Sequence, residues 1–377
     1  MIRLAAPLLG PEETQAVADV LASGWLVQGA KVAEFEQRLA DVVGVEHVVA
    51  CSSGTAALQM ALGALDLPPG ARVALPDLTF PATLNAVLLA GLTPVLLDVD
   101  PSTYNLRADA VRALLEDDPP EVLLAVHQFG LPAPLGGLLA HAAEVGTVVV
   151  EDAACALGSS LDVDGVPVAA GAIGAMGCFS FHPRKVITTG EGGAVTTADP
   201  ALAERLRLLR NHGMVRPAEG PATFVCTGWN FRLSELHAAI GVVQMDRLEH
   251  LLQDRARIAA GYQRRLAPLT SRGLMLPRVP EGAHPNWQSY VVRVPLGVDQ
   301  DAVANALVAA GVQCTISAQA LHLEPAYRDL PAAAGPFPGA EDARARGLSL
   351  PVATGLTEEQ LDAVAEALAQ ALAALGS

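Results

Sequence analysis

Lysine is almost absent from this sequence. Of its 377 residues, 24 are lysine or arginine, and only Lys31 and Lys185 are lysines. Arginine supplies a permanent positive charge, but at neutral pH it can neither form a Schiff base nor shuttle protons, whereas lysine can do both. Lys185 remains within a glycine- and threonine-rich segment. It is therefore a candidate catalytic residue, with an ordinary surface charge as the alternative.

Positive charge and paired cysteines are also scarce. The formal net charge of −16 argues against nucleic acid or an anionic membrane as a partner. The five cysteines include no C-x-x-C pair, so we expect no metal site, and reduced thiols in a cytoplasmic protein. The first residues show no basic segment followed by an apolar run, and apolar stretches stop well short of the roughly 20 residues that cross a membrane. We therefore expect neither a signal peptide nor a membrane span.

Short apolar segments alternate with helical patterns between about residues 46 and 200. Runs that are apolar throughout and end in polar or turn residues suit parallel strands covered on both faces of a sheet. The predicted strands are Arg72–Pro76, Pro94–Val99, Val122–Val126, Thr147–Glu151, Met176–Phe181 and Ala194–Thr197. Because helical patterns such as Leu84–Leu92 and Ala108–Leu115 separate them, we expect a doubly wound α/β fold with ligands at the carboxyl ends of the strands.

A change of character beyond residue 254 predicts a second, smaller domain. Glu235–Gln253 has the pattern of a long amphipathic helix. The later segment Ser271–Pro285 is rich in proline and glycine. The later predicted elements are a strand at Gln288–Val294 and helices at Gln300–Ala310 and Thr357–Leu375. We expect residues 1–254 to form a large domain around a mostly parallel sheet and residues 255–377 to form a small α+β domain.

The residues after Cys51 have the composition of a phosphate site. Ser53, Gly54 and Thr55 lead directly into a strong helical pattern. A helix N-terminus offers unpaired N–H groups and a partial positive charge, and a glycine lets the backbone approach a ligand closely. The hydroxyls of Ser53 and Thr55 can also donate hydrogen bonds. The alternative is an ordinary N-cap, because serine and threonine cap helices of every kind.

Two later segments carry polar side chains at predicted strand ends. Asp152 closes a buried run and could bind a metal, a ribose or a protonated ring nitrogen, or could only cap the next helix. Lys185 follows Ser180 and Pro183 and precedes several glycines, which are turn-forming residues that could point its amine into a closed site. A solvated loop is the alternative for this segment.

Other motifs carry less weight. The spaced glycines of Gly171–Gly177 precede a strand instead of joining a strand to a helix, so they lack the context of a dinucleotide site. His127 and His182 each end an apolar run without metal-ligand spacing. Asn230 and Arg232 lead into a helical pattern, and residue chemistry alone favours capping there over ligand binding.

In order and spacing these motifs resemble the DegT/DnrJ/StrS-type sugar aminotransferases, a fold-type I family that depends on pyridoxal 5'-phosphate (PLP). The resemblance runs over most of the chain. It is carried by Ser23–Gly29, Glu34–Glu36, Ser53–Leu58, Asp77–Phe80, Asp98–Asp100, Val126–Gly130, Glu151–Ala154, Ser180–Lys185, Gly190–Gly193, Arg210–Gly213, Asn230–Arg232 and Leu321–Pro325. Any one of these segments is a weak signal, whereas their common order is highly specific.

The resemblance implies roles for the residues around the cofactor ring. Lys185 would be the Schiff-base lysine and would then move the proton during transamination. Asp152 would pair with the ring nitrogen, and Phe80 would stack on the ring. Cys155 would lie near the 3-hydroxyl of the ring, where the family usually has glutamine or histidine. Some relatives that act as dehydratases replace the lysine with histidine, so Lys185 argues against that branch.

The resemblance also implies how the phosphate is held and how the subunits associate. Gly54, Thr55 and Ser180 would bind the phosphate of PLP. Asn230 of the partner subunit would reach the same phosphate, which implies a homodimer with shared active sites. Together these residues make PLP the expected cofactor.

The implied activity is the transfer of an amino group, with glutamate as the expected donor, to a nucleotide-linked keto-deoxysugar. Arg210, Arg216 and Arg232 are candidates for the diphosphate of such a substrate, and Arg232 and His322 are the expected substrate residues. Two alternatives stay open. One is a transaminase of a cyclitol or another non-nucleotide ketone, and the other is a PLP-binding regulatory protein without turnover.

Overall fold

The computed structural model describes residues 1–217 and 219–375. Its α-helices are α1 (Pro11–Ser23), α2 (Ala30–Val43), α3 (Gly54–Ala64), α4 (Pro81–Leu89), α5 (Ala108–Asp117), α6 (Leu139–Glu144), α7 (Pro200–Arg210), α8 (Glu235–Asp246), α9 (Leu248–Leu266), α10 (Gln300–Ala309), α11 (Pro338–Arg346) and α12 (Glu358–Leu375). Within these described ranges, no helix is both long enough and apolar enough to cross a membrane.

The strands form one large sheet and several small ones. They are β1 (His47–Cys51), β2 (Arg72–Pro76), β3 (Leu78–Thr79), β4 (Thr93–Leu97), β5 (Val122–Val126), β6 (Val148–Asp152), β7 (Ser160–Val163), β8 (Val166–Ala169), β9 (Met176–Ser180), β10 (Gly193–Thr197), β11 (Met214–Val215), β12 (Thr223–Phe224), β13 (Ala283–His284), β14 (Tyr290–Arg293), β15 (Thr315–Ile316), β16 (Gln319–Ala320) and β17 (Gly347–Leu350). In the part of the chain that is described, the large sheet has the order β1-β10-β9-β6-β5-β2-β4.

The large sheet is mostly parallel, which confirms the predicted α/β fold. Strands β9, β6, β5, β2 and β4 run in the same direction. Only β10 runs the other way, antiparallel to β9 on one side and to β1 on the other. Strand β1 therefore has the same direction as β9, and its carboxyl end lies at the same edge of the sheet.

Both faces of the sheet are buried, which explains why its strands are apolar throughout. Val73 and Leu75 of β2 pack into the core beneath α3 and α4, whereas Ala74 between them joins the core beneath α5 and α6. Along β5, Leu124 and Leu123 divide between the same two cores in the same way. Successive side chains of a strand point to opposite faces of the sheet. A strand that is covered on both faces therefore has apolar residues at every position.

Element ends differ from the sequence prediction by a few residues, for local reasons. Helix α4 begins at Pro81, three residues before the predicted start, because proline is favoured in the first helical turn. Strand β4 ends at Leu97, since the Asp98 carboxylate accepts the backbone N–H groups of Gly339 (3.0 Å) and Ala340 (2.9 Å) at the start of α11. The predicted helix Glu235–Gln253 is divided at Arg247 between α8 and α9.

The C-terminal part of the chain has a core of its own. Strands β14, β17 and β15 form an antiparallel sheet. Apolar side chains of α9, α10 and α12 pack together with β14 and β17 in one cluster. The predicted domain boundary after residue 254 falls inside α9, and the division into residues 1–254 and 255–377 stays a prediction.

The carboxyl end of β6 is anchored by a buried carboxylate. Glu151 is fully buried, and its two oxygens accept four hydrogen bonds. The donors are the backbone N–H groups of Gly171 (2.7 Å), Ile173 (2.8 Å) and Gly174 (2.7 Å) and Nε2 of His127 (2.7 Å). Nδ1 of His127 accepts the N–H of Ala133 at 2.9 Å, so the Nε2 proton is the one that His127 donates to Glu151.

Replacing Glu151 with alanine should lower the free energy of unfolding by about 3–5 kcal/mol. The variant leaves three backbone N–H groups and one imidazole N–H buried without an acceptor, and each such group costs about 1–3 kcal/mol before relaxation. Urea unfolding measures the change. Glu144→Ala is the control, because the Glu144 side chain is 75% exposed, and its loss should change stability by less than about 0.5 kcal/mol. A stability loss at Glu151 no larger than at Glu144 would contradict this account.

Candidate active site

Four strands of the large sheet deliver polar residues to one edge. Val126 and Asp152, the last residues of β5 and β6, pair with each other, and Asp152 pairs with Cys178 of β9, which continues to Ser180. The segments that follow β5, β6 and β9 therefore meet at the same edge, together with the segment that follows β1. In open α/β sheets, ligands bind at this edge.

A cavity of about 490 Å³ lies at this edge. Its walls come from the large sheet, from the N-terminal segment and from the C-terminal part of the chain. The residues predicted from the sequence that line it are Ser53, Gly54, Thr55, Phe80, Asp152, Cys155, Ser180 and Lys185. Further lining residues that were not predicted include Thr79, Gln128, Phe129, His182, Arg184, Glu191, Gln288 and Ser289.

The N-terminus of α3 forms one wall of the cavity. Ser53 is its N-cap, and its hydroxyl oxygen accepts the N–H of Ala56 at 3.1 Å. The N–H groups of Gly54 and Thr55 precede that bond and have no intrahelical partner, as in every first helical turn. Gly54 also lies against Ser180, because a Cβ on Gly54 would be only 2.7 Å from the Cβ of Ser180. The capping role and the phosphate role proposed for this segment are thus compatible.

Asp152 is a buried carboxylate with donors on both oxygens. It is 6% exposed. Thr83 Oγ1 donates to its Oδ2 at 2.8 Å, and the N–H of Ala154 donates to its Oδ1 at 3.2 Å. Thr83 is in turn 3.0 Å from the hydroxyl of Thr79, which lines the cavity. Thr83 was not predicted from the sequence, because it lies 69 residues from Asp152. Its position on the helix that follows Phe80 was the one signal for it.

Lys185 follows a tight turn after β9. Its backbone N–H donates to the carbonyl of His182 at 2.8 Å, and its Nζ is 3.1 Å from Cys155 Sγ. The N–H of Arg184 donates to Nδ1 of His182 at 3.2 Å, which requires that nitrogen to be unprotonated. Burial lowers the pKa of His182 below its ordinary value. His182 is therefore neutral near pH 7.

Phe80 presents an exposed aromatic ring to the cavity. It is 65% exposed although it immediately precedes α4, whose residues are largely buried. An apolar ring left open at the mouth of a cavity is suited to stacking on a flat ligand. This position is consistent with the role that the resemblance implies.

Asn230, Arg232 and His322 lie outside the cavity lining within the described chain. Asn230 is exposed and pairs with Asn211 in an isolated bridge. Arg232 donates from Nη1 to Asn211 Oδ1 at 2.7 Å. His322 packs away from the cavity, with Nδ1 2.6 Å from Asp77 Oδ2. Burial raises the pKa of Asp77, and the hydrogen bond from His322 opposes that shift.

The three arginines considered for a diphosphate differ in availability. Arg210 is buried, with Nη1 2.6 Å from Glu36 Oε1 and 2.8 Å from the carbonyl of Ala50, so its guanidinium is already committed. Arg216 is exposed beside β11. Arg232 is half-buried and keeps part of its guanidinium free of the contact with Asn211. Arg210 is therefore not available for a diphosphate, because its guanidinium is bonded to Glu36 and Ala50 inside the protein.

The residues of the cavity fit PLP. Gly54 provides a close-approach surface that a Cβ would fill, the first turn of α3 offers unpaired donors for a phosphate, and Asp152 offers a fixed carboxylate for a ring nitrogen. A lysine amine lies in the same cavity. With the mostly parallel sheet, these features define the fold-type I class of PLP-dependent enzymes.

Comparison with known proteins identifies the family within this class. The DegT/DnrJ/EryC1/StrS aminotransferase family matches residues 7–369, and the chain belongs to it. GDP-perosamine synthase from Caulobacter vibrioides is 37% identical over 375 residues, 98% of each protein. The aminotransferase TlmJ from Streptoalloteichus hindustanus has a TM-score of 0.91 and 35% identity over 100% of both chains. The sugar aminotransferase CalS13 from Micromonospora echinospora has a TM-score of 0.89 and 30% identity over 98% of this chain and 100% of its own. The predicted family and the prediction of an aminotransferase are confirmed.

Replacing Gly54 with alanine should weaken PLP binding at least about tenfold, or roughly 1.4 kcal/mol. The added Cβ forces Ser180 away from the α3 N-terminus, while alanine itself favours the helix. Titration of the apoprotein with PLP measures the change. Gly137→Ala is the matched control, because the nearest atom to a Cβ there is 4.0 Å away, in Arg112. If Gly54→Ala binds PLP as tightly as the control, the phosphate is bound elsewhere.

Proposed function

We propose that this chain uses PLP to move an amino group from glutamate to a nucleotide-linked keto-sugar. The observation that carries the proposal is the convergence of Lys185, Asp152 and the N-terminus of α3 on one cavity. A lysine amine can hold PLP covalently, a carboxylate is the group that a protonated ring nitrogen needs, and a helix N-terminus binds phosphate.

Each contact proposed for PLP within one subunit uses a residue of the cavity lining. In this proposal the phosphate is bound by Gly54, Thr55 and Ser180, the ring nitrogen by Asp152, the ring face by Phe80, the 3-hydroxyl by Cys155, and the carbonyl carbon by Lys185. The Thr83 hydroxyl and the Ala154 N–H fix the plane of the Asp152 carboxylate. The carboxylate is therefore oriented before any ligand arrives, which reduces the ordering cost of binding.

The chemistry divides between the cofactor and the chain. When bound, PLP is the electron sink that makes a C–H bond next to the amine acidic. Lys185 Nζ is the base that removes this proton from the donor and delivers it to the neighbouring carbon. Cys155 Sγ lies 3.1 Å from Nζ and orients the amine only weakly, because a thiol is a weak hydrogen-bonding group.

The acceptor half of the proposal is supported by the relatives and by the size of the cavity. GDP-perosamine synthase is named for a nucleotide-linked amino sugar, and CalS13 is named as a sugar aminotransferase. About 490 Å³ is within the usual range for a small-molecule site. Turnover of nucleotide-linked keto-sugars alone supports the proposal, whereas equal turnover of a free keto-sugar or a cyclitol ketone supports the non-nucleotide alternative.

A homodimer with shared active sites is also part of the proposal. Asn230 is exposed, and within the described chain it does not line the cavity of its own subunit. Phe224, Val225 and Trp229 on the same hairpin segment are 68%, 60% and 37% exposed. Apolar side chains grouped in this way favour burial against a second copy. Asn230 would then reach the cofactor phosphate of the partner.

Replacing Lys185 with alanine should abolish transamination, reducing kcat at least about 1000-fold, since covalent attachment and proton transfer are both lost. Lys31→Ala is the matched control, because Lys31 is the other lysine of the chain and pairs with Glu34 on the surface of α2. Borohydride reduction followed by peptide mass spectrometry should place the PLP mass on the peptide containing Lys185. Full activity of Lys185→Ala, or the PLP mass on the Lys31 peptide, would refute the proposal.

Mixed dimers should recover activity that both parent variants lack. Lys185→Ala removes the base, and Asn230→Asp sets a negative charge against the phosphate of the partner site. In a heterodimer of the two, one site carries both changes and the other carries neither. Mixing the variants should therefore restore up to about half of the activity per dimer, when assayed at PLP concentrations that do not load Asn230→Asp. No recovery in a verified heterodimer would show that each chain completes its own site.

A further inference from the structure

Two walls of the cavity are joined by a short antiparallel pair of strands. Strand β3 is Leu78–Thr79, and its partner β16 is Gln319–Ala320. Thr79 and Gln319 lie opposite each other in this pair, and both line the cavity. The residue that follows β3 is Phe80, whose ring is proposed to stack on the cofactor. The pair therefore connects the wall that carries Phe80 to the C-terminal part of the chain.

The position of the Phe80 ring depends mainly on its backbone, because the side chain is largely exposed. On the side of α4, Pro81 begins the helix, and the N–H of Thr83 donates to the carbonyl of Phe80 at 3.1 Å. On the other side, β3 contributes only two paired residues. So short a strand gives little stability by itself, and its position therefore depends on the contacts at its ends.

A buried aspartate–histidine pair holds β3 at the end away from Phe80. Asp77 is fully buried and directly precedes the strand. Its Oδ1 accepts the backbone N–H of His322 at 2.9 Å, and its Oδ2 is 2.6 Å from Nδ1 of the same residue. The carbonyl of Asp77 accepts the N–H of Leu321 at 2.9 Å. These three contacts tie the residue before β3 to the two residues that follow β16.

His322 is packed into the interior beside the cavity wall. Its side chain is 9% exposed. The imidazole ring packs against Phe337, with 4.8 Å between the ring centroids, and Nε2 is 3.5 Å from Glu341 Oε1. If the bond to Nδ1 were lost, Oδ2 of Asp77 would be buried without a partner, which is costly. We therefore expect Asp77 and the start of β3 to move when this bond is removed.

We propose that His322 is a positioning residue, which holds Asp77 in place and thereby fixes the strand that presents Phe80 to the cofactor ring. This inference rests on the proposed function and deepens it. It gives His322 a part in cofactor binding, in place of the substrate contact that the resemblance implied. The observation behind it is the set of three contacts that join Asp77 to Leu321 and His322.

The first test measures PLP affinity in two variants that separate hydrogen bonding from packing. His322→Leu fills much of the space of the ring but has no donor, whereas His322→Asn is smaller and keeps an N–H near the position of Nδ1. Titration of the full-length apoprotein with PLP should show binding about tenfold weaker for His322→Leu and less than about threefold weaker for His322→Asn. If packing alone mattered, the smaller residue would be the worse one.

His284→Leu is the matched control for this titration. His284 also lies beside an aspartate, with Nε2 3.4 Å from Asp162 Oδ1, but its side chain is 61% exposed. Its loss should change PLP affinity less than about twofold. Should His322→Leu not fold, His322→Gln takes its place, because its amide lies near the position of Nε2 and leaves Oδ2 of Asp77 without its donor.

A double-mutant cycle with Phe80 separates positioning from general support of the fold. Phe80→Ala removes the ring and should itself weaken PLP binding about tenfold. On that background, His322→Leu should weaken binding less than about twofold further, because the group that His322 positions is already absent. A residue that only stabilises the protein would cause the same loss on both backgrounds.

Amide hydrogen exchange of the apoprotein gives a readout that needs no PLP. The peptide that covers residues 77–83 should exchange faster in His322→Leu than in His322→Asn, because only the first variant loses the bond that holds the start of β3. Equal exchange in the two variants would show that this bond does not hold the strand.

Three results of the titrations would overturn the inference while leaving the proposed function intact. They are wild-type PLP affinity in His322→Leu, weaker binding by His322→Asn than by His322→Leu, and equal losses on the two Phe80 backgrounds. A wild-type protein that binds no PLP would refute the proposed function, and this inference with it.

Discussion

The level register of β5, β6 and β9 is the constraint on which the site depends. Asp152 ends the middle strand and lies beside Val126, the last residue of β5, and beside Cys178, near the end of β9. Glu151, one residue earlier, points to the opposite face and is bonded there to His127 and to three backbone N–H groups. One strand end therefore carries two carboxylates with separate tasks. Glu151 anchors the end of the strand, and Asp152 faces the cavity.

Much of the fold could be predicted from the sequence, because strands buried on both faces appear as short runs of apolar residues. Strands β2 and β5 begin and end where their apolar runs do. The boundaries that differed depend on distant partners, as for Asp98, whose carboxylate caps α11 some 241 residues later. Within the segment Gly171–Gly177, Gly171 and Gly174 donate their backbone N–H groups to Glu151. This use could not be foreseen from the spacing of the glycines alone.

The candidate site shows the same division. Gly54, Asp152, Ser180 and Lys185 belong to motifs that are continuous in sequence, and the structure brings them to one cavity. Thr83 and His322 act through contacts across 69 and 245 residues, which no local pattern encodes. The scarcity of lysine was informative for a different reason. Where arginine supplies nearly all other positive charge, a retained lysine indicates chemistry that arginine cannot perform.

The proposed function requires that Lys185 hold PLP in the cavity and that glutamate give its amine to this cofactor. The visible absorption spectrum of the purified, PLP-reconstituted protein tests this most directly, before and after the addition of glutamate without any acceptor. The account predicts a yellow protein whose visible band disappears with glutamate and returns on addition of a keto-sugar acceptor. A protein that stays colourless after reconstitution with PLP, or a band that glutamate leaves unchanged, would contradict it.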